Sequence, residues 1–151
     1  MNSEWPDLPA GILVQPALMT SGQPSISDFS RLAKAGVRTV INLALPTSSN
    51  ALPDERTVVT GLGMEYLDIP VPFESPGETQ YLACEVALRA RSAQPVLLHC
   101  ALNYRVSSFV AIYRVRRLGW TPEAAWAGVR AVWEPDAVWE RLIRRLSGGH
   151  H

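Results

Sequence analysis

Histidine is scarce in this sequence. Of three, His150 and His151 follow Ser147-Gly148-Gly149 in the manner of a tag remnant or frayed tail, which leaves His99 alone in the body of the chain. Cysteine is as rare, with only Cys84 and Cys100. Two thiols cannot build a disulfide framework, and a chain of 151 residues can bury a sufficient core without one. Neither CxxC nor HExxH spacing occurs, so no metal site is expected and no cofactor is implied. Net charge is missing too: 14 Lys+Arg balance 14 Asp+Glu. Without a long-range field, neither nucleic acid nor an anionic membrane is an expected partner, and any bound anion must be held by a local site. No apolar run approaches the roughly 20 residues of a membrane span. The first residues lack the basic and apolar regions of a signal peptide, so a cytoplasmic location is expected. The 13 arginines against the single Lys34 point to no function.

What is present reads as one α/β domain. Residues 1–10 form a proline-bearing lead-in, residues 11–147 the domain and residues 148–151 a tail. Ile12-Leu13-Val14 and Ala17-Leu18-Met19 flank a proline. Ser27 or Asp28 can cap a helix that runs to about Ala35, with Gly36 as its stop. Short apolar runs bounded by turn residues, Val40 to Leu45, Met64 to Val71 and Pro95 to His99, have the pattern of strands buried on both faces. Helical segments are expected over 54–60, 78–90, 107–118, 121–133 and 137–146. The stretch from Ser107 is apolar nearly all round, which places it in the middle of the domain. Thr121-Pro122 starts the next helix with a cap and an N1 proline. Strands alternating with helices give a mostly parallel sheet flanked by helices. Cys84 is expected in the core, Trp126, Trp133 and Trp139 in helix packing, Asp136 as a helix cap, and Arg114, Arg116 and Arg117 on a solvated face near a helix C-terminus.

The chemistry is concentrated in Leu98-His99-Cys100-Ala101-Leu102-Asn103-Tyr104-Arg105-Val106-Ser107. A cysteine closes a buried strand and is followed by a loop feeding the central helix. Open parallel sheets place their ligand crevice at that end of the strands. A helix N-terminus offers unpaired N–H groups and the positive end of a dipole, which attract anions and favour a thiolate. A thiolate there is a ready nucleophile, and a following arginine can grip two oxygens of a phosphate.

This segment resembles the signature of the cysteine-dependent protein tyrosine and dual-specificity phosphatases: His-Cys, five residues, then Arg and Ser or Thr. The chain is most similar to small bacterial dual-specificity-phosphatase-like domains related to beta-lactamase-hydrolase-like proteins. It shares their Ser-Gly-Gln-Pro opening (Ser21 to Pro24), their Ala-Gly-Val-x-x-Val-Ile-Asn-Leu strand (Ala35 to Leu43) and their Tyr-x-x-Ile-Pro-Val strand (Tyr66 to Val71). The resemblance runs from about residue 12 to 145. It implies a three-layer phosphatase-like fold and a phosphorylated substrate or other oxyanion as the partner. In the reaction it implies, Cys100 attacks phosphorus, a carboxylic acid protonates the leaving oxygen, and water hydrolyses the phosphocysteine. The amides of Ala101, Leu102, Asn103, Tyr104, Arg105 and Val106 would cradle the phosphate, with the Arg105 side chain gripping it. Ser107 would assist thiolate release, and His99 would support the loop.

One departure matters. The family arginine falls at position 106, where this chain has Val106, and the arginine is Arg105, giving a CX4R spacing. Ser107 keeps the hydroxyl position, and Asn103 stands where glycine is common, a residue that tolerates left-handed backbone. An ungapped reading turns Arg105 away from the phosphate and weakens catalysis. A gapped reading shortens the loop by one residue around a smaller or differently posed anion. The family's aspartate aligns with Phe73, and the neighbouring Glu74, on a proline-flanked loop, is the expected proton donor in preference to Asp68. The alternatives to hydrolysis are a catalytically impaired phosphate-binding module and a rhodanese-like sulfurtransferase. Substrate identity and oligomeric state are not readable from the sequence.

Overall fold

The alternation of strands and helices closes into a single sheet. In the computed structural model, which describes residues 5–148, the strands are β1 (Ile12–Gln15), β2 (Leu18–Ser21), β3 (Thr39–Asn42), β4 (Glu65–Asp68) and β5 (Val96–His99). The helices are α1 (Ile26–Lys34), α2 (Glu55–Gly61), α3 (Glu78–Ala90), α4 (Tyr104–Leu118), α5 (Pro122–Arg130) and α6 (Ala137–Leu146). The sheet order is β1-β2-β5-β3-β4. Pro16 and Ala17 turn the chain between β1 and β2, which pair antiparallel, and the remaining neighbours are parallel. The tail histidines His150 and His151 lie outside the described residues.

Strand alternation divides the core into two layers. Val40 of β3 and Leu97 of β5 face Phe29, Leu32 and Val59 of α1 and α2. Ile41 and Leu98, the next residues along, face Cys84, Phe109, Ile112, Trp139 and Ile143 of the other helices. Helices on both faces are what bury strands such as Val-Leu-Leu-His without exposing an apolar side. In α4 every residue from Arg105 to Tyr113 is buried, which makes it the central helix.

Local signals set most boundaries. Thr121 caps α5 through the Ala124 N–H with Pro122 behind it, and Asp136 caps α6 through the Trp139 N–H. The cap of α1 differs from the expected Ser27 or Asp28. It is Ser25, whose hydroxyl accepts from the Asp28 N–H while the Asp28 carboxylate accepts from the Ser25 N–H. That reciprocal capping box satisfies two donors at once and outcompetes a single cap one turn later. The larger difference is that α4 starts at Tyr104, not Ser107, so Arg105, Val106 and Ser107 all lie in its first turn.

The basic end of α4 is tied to α3. Glu85, buried on α3, accepts from Tyr81 Oη at 2.9 Å, Arg116 Nε at 2.9 Å and Arg117 Nη2 at 3.2 Å. Burial alone raises this carboxyl, but those donors outweigh it and hold it at about 2, against an ordinary value near 4.5. A depressed carboxyl stabilises the fold above its unfolded value and loses that contribution as pH falls through the folded one. Glu85→Gln is therefore expected to lower stability by roughly 2 to 3 kcal/mol at neutral pH, with the difference from wild type closing between about pH 4.5 and 2. Urea unfolding across that range checks it, and a gap that stays constant with pH contradicts the ionic origin. Cys84, beside it, is buried as expected, and burial pushes its thiol up to about 12, the state of an inert core residue.

Candidate active site

At the C-terminal edge of the sheet β5 ends on His99, and Cys100 follows wholly buried. The chain must turn from strand into helix within four residues, Cys100 to Asn103, and it does so through Asn103, whose φ of 72° is left-handed. Asn is among the few side chains that accept this backbone cheaply. Its Nδ2 donates to Ala10 O at 2.7 Å and to Thr20 Oγ1 at 3.1 Å, which locks the turn against the N-terminal segment and β2.

The carbonyls of this loop are held outward. Cys100 O faces His99 Nδ1 at 3.1 Å. Ala101 O accepts from the Gln23 N–H at 3.1 Å and from Asn50 Nδ2 at 3.1 Å. Tyr104 O accepts from Ser107 Oγ at 3.0 Å and Ser108 Oγ at 2.8 Å. The backbone N–H groups of Ala101, Leu102, Tyr104, Arg105 and Val106 meet no acceptor among the described residues. A turn with its carbonyls tied back and its amides unpaired, running into a helix N-terminus, has the donors to cradle an anion.

Arg105 and Val106 divide the roles that the spacing left open. Val106 is completely buried in the core. Arg105 is 8% exposed; its Nε donates to Val71 O at 2.9 Å, and its guanidinium lies over the Phe73 ring, 5.3 Å from the centroid. No carboxylate pairs with it among the described residues, and neither terminal nitrogen is engaged or buried without a partner. A nearly buried guanidinium without a counter-ion calls for an anion.

The β4–α3 loop covers this arginine. Phe73, at the position expected for the family's aspartate, packs against Tyr104, Trp133 and Trp139, and Trp139 Nε1 donates to Phe73 O at 2.8 Å. Trp133 lies beyond the end of α5, stacked on Tyr104 of α4 at 4.6 Å and meeting Trp139 of α6 edge-on, so it packs helices together as expected and does so beside the candidate site. Glu74 is exposed on this loop and makes no hydrogen bond or ion pair among the described residues. Asp68 ends β4; burial of its surroundings pushes its carboxyl up, with Arg56 and His99 pulling it down and Glu55 pushing it further up.

Sequence reasoning missed Glu55. This first residue of α2 is buried, with Oε2 2.7 Å from His99 Nε2 and Oε1 accepting from Gln23 Nε2 at 2.7 Å. Glu55 and His99 are 44 residues apart, and no local pattern marks the acid as anything but a helix-opening charge. Sequence reasoning also missed an uncharged cleft of about 350 Å³ beside the loop, lined by Ala10, Gly11, Ile12, Leu102, Tyr104, Ala131 and Val132. Among the described residues no group of three or more His, Cys, Asp or Glu could hold a metal ion, and no helix is long and apolar enough to cross a membrane.

No protein-family model matches the chain, and no curated protein matches it. Solved structures do. A candidate phosphatase of the DUF442 family from Shewanella putrefaciens CN-32 is 32% identical, with 93% of each chain covered and a TM-score of 0.83. At lower identity the likeness shows the fold. A cysteine-to-serine variant of P. aeruginosa TpbA in complex with phosphotyrosine is 21% identical, covering 93% of this chain and 91% of that one, with a TM-score of 0.68. PTPMT1 in complex with PI(5)P is 17% identical, covering 92% and 95%, with a TM-score of 0.79. The resemblance first read from the strand-end cysteine and its neighbouring motifs thus extends over the whole fold, which the chain shares with cysteine-based phosphatases, and the chain belongs to the DUF442 family of phosphatase-like proteins.

Proposed function

We propose that the protein hydrolyses a phosphate monoester through a phosphocysteine intermediate, with the loop from Cys100 to Ser107 as the phosphate site. The observation that carries this reading is Arg105: a guanidinium 8% exposed and without a carboxylate partner among the described residues, beside backbone amides that meet no acceptor. A dianionic phosphate supplies the missing counter-charge and takes the amides as donors.

In the first step the Cys100 sulfur attacks phosphorus, the S–P bond forms as the P–O ester bond breaks, and the Glu74 carboxyl gives its proton to the departing oxygen. In the second, water attacks phosphorus, the Glu74 carboxylate takes a water proton, and the S–P bond breaks to release phosphate and the thiolate. Ser107, which now donates to Tyr104 O, turns its hydroxyl to the departing sulfur. Glu74 rides on the same loop as Phe73, which packs over Arg105, so loop position and phosphate binding are mechanically linked. The leaving group lies along the uncharged cleft that adjoins Leu102 and Tyr104, which favours an apolar ester over a headgroup bearing further phosphates. The phosphotyrosine and PI(5)P complexes of structures sharing the fold support a phosphorylated substrate. Phosphate binding with little turnover is the second reading, favoured by the absence of any bond holding Glu74 in place among the described residues.

The test is hydrolysis of p-nitrophenyl phosphate by the wild-type protein, with acid quenching and peptide mass spectrometry to seek a phosphoryl group on Cys100. Turnover with phosphorylated Cys100 is the expected result. Thermal stabilisation by phosphate or vanadate with no turnover selects the binding module, and neither effect overturns both.

A further inference from the structure

The proline-bearing lead-in before β1 reads in the sequence as a mere approach to the domain, yet the fold pins it to the loop after β5. Trp5 and Leu8 pack against the core layer of Phe29 and Leu32, and Trp5 Nε1 donates to Pro16 O at 3.0 Å. Two successive carbonyls then make the connection: Pro9 O accepts from the Gly22 N–H at 2.8 Å, and Ala10 O from Asn103 Nδ2 at 2.7 Å. Gly22 also bridges Leu102. A Cβ at Gly22 would stand 2.8 Å from Ala101 O and 3.4 Å from Pro9 O, and backbone oxygens cannot swing aside as a flexible side chain would. The Ser-Gly-Gln-Pro opening therefore has glycine where lead-in, β2 end and loop close on one another.

The contact between lead-in and loop is strained on both sides. Ala10 has a φ of 49° and Asn103 a φ of 72°, both left-handed. Alanine adopts this backbone at a cost, and strain of this kind persists where surrounding contacts over-determine it, commonly at functional sites. Beside the strained pair lies the cleft of about 350 Å³. Ala10, Gly11 and Ile12 line it from the lead-in and β1, and Leu102 and Tyr104, the two chain neighbours of Asn103, line it from the loop. No lining residue carries a charge.

We propose that residues 10–12 are a specificity wall, giving the anion site a preference for ligands with an apolar group beside the phosphoryl group, and that Asn103 is the positioning residue that holds this wall to the loop. The assignment rests on the reading of the loop from Cys100 to Ser107 as the phosphate site. Glycine adopts a φ of 72° more readily than asparagine does, so the backbone turn by itself gives no reason for a side chain at position 103. What the asparagine adds is its pair of bonds, to Ala10 O and to Thr20 Oγ1 at 3.1 Å. Those bonds join the wall, β2 and the loop through one wholly buried side chain. A ligand whose apolar part fills the cleft then meets a wall held in register with the amides that bind its anion, and loses less freedom on binding.

The experiment compares the binding of phenylphosphonate with that of inorganic phosphate by calorimetry. Phenylphosphonate joins an aryl ring to a phosphate-like group and has no ester bond to hydrolyse, so the pair reads the cleft without turnover. Wild type is expected to bind phenylphosphonate about tenfold more tightly than phosphate. Asn103→Gly keeps the left-handed backbone but frees the wall, and is expected to reduce that preference to within about twofold while phosphate binds no more than about threefold more weakly. Ile12→Ala removes apolar surface from the wall and leaves Asn103 in place. It is expected to cut the preference about threefold, and it serves in place of Asn103→Gly should that variant fail to fold. A wild type that binds both ligands equally overturns the assignment, as does an Asn103→Gly protein that keeps the wild-type preference and shows only a lower urea midpoint. Equal weakening of both ligands marks a bond that serves the loop alone and overturns it too. Failure of the hydrolysis test leaves these binding results standing, whereas a wild type that binds neither ligand overturns the phosphate site and the wall together.

Discussion

Cys100→Ser is expected to reduce phosphate-ester hydrolysis by at least about 10³-fold, equivalent to roughly 4 kcal/mol of activation free energy, while phosphate still raises the thermal midpoint. Serine places a hydroxyl where the sulfur was, and a hydroxyl is a poor nucleophile near neutral pH because so little of it ionises. Nothing on the anion-binding side changes: the amides from Ala101 onward and the Arg105 guanidinium remain, and the Cys100 carbonyl keeps its contact with His99. Cys100 is wholly buried, so the added hydroxyl costs on the order of 1 to 3 kcal/mol of fold stability, and activity must be compared at temperatures where both proteins are folded. Steady-state assays with p-nitrophenyl phosphate and thermal melts with and without phosphate decide the matter. Retained turnover in the serine variant removes Cys100 from the mechanism, and lost phosphate stabilisation shows that the substitution disturbs the loop proposed to hold the anion.

Arg105→Lys is expected to lower kcat/KM by about 10² to 10³-fold and to abolish most of the phosphate-induced stabilisation. The guanidinium does two things at once: Nε holds the Val71 carbonyl at 2.9 Å, and the plane of the group lies against Phe73, leaving the terminal nitrogens for two oxygens of the anion. Lysine carries the charge but has one nitrogen and no plane, so it cannot anchor to Val71 and present a fork together. The two interactions also join the β4–α3 loop to the phosphate loop, so the variant should weaken the coupling between Glu74 and the anion. Moving the arginine one residue on, with Val106→Arg, is not a remedy. Val106 has no exposed surface, and a guanidinium there must either disrupt the core or remain buried and unpaired. The double variant Arg105→Val with Val106→Arg is therefore expected to be destabilised and inactive, as melts and assays would show. Activity in it would mean that the loop can adopt the longer spacing.

The position of the arginine shows where local reasoning stops. The left-handed turn was legible, because Asn103 is one of few side chains suited to it, and so was a strand ending on a cysteine. The first turn of α4 was not. Its N-cap has no side-chain cap, so no residue announces the helix, and Tyr104 joins it through stacking on Trp133, a residue that follows α5. The same limit applies to Glu55, whose acidic position at a helix start is ordinary until the fold brings His99 against it.

The sequence by itself determined the class of fold, the mostly parallel sheet, the order of its helices, the inert core setting of Cys84 and the segment in which the chemistry lies. Each of these follows from periodicity, caps and turn residues acting over a few positions. Only the tertiary structure decided that Arg105 lies nearly buried without a carboxylate partner among the described residues while Val106 fills the core, that Phe73 packs on Arg105 and Trp133 stacks on Tyr104, and that Glu55 meets His99. Those outcomes depend on which side chains meet across sheet order β1-β2-β5-β3-β4, where burial turns an unpaired charge or donor into a binding requirement that no local pattern encodes.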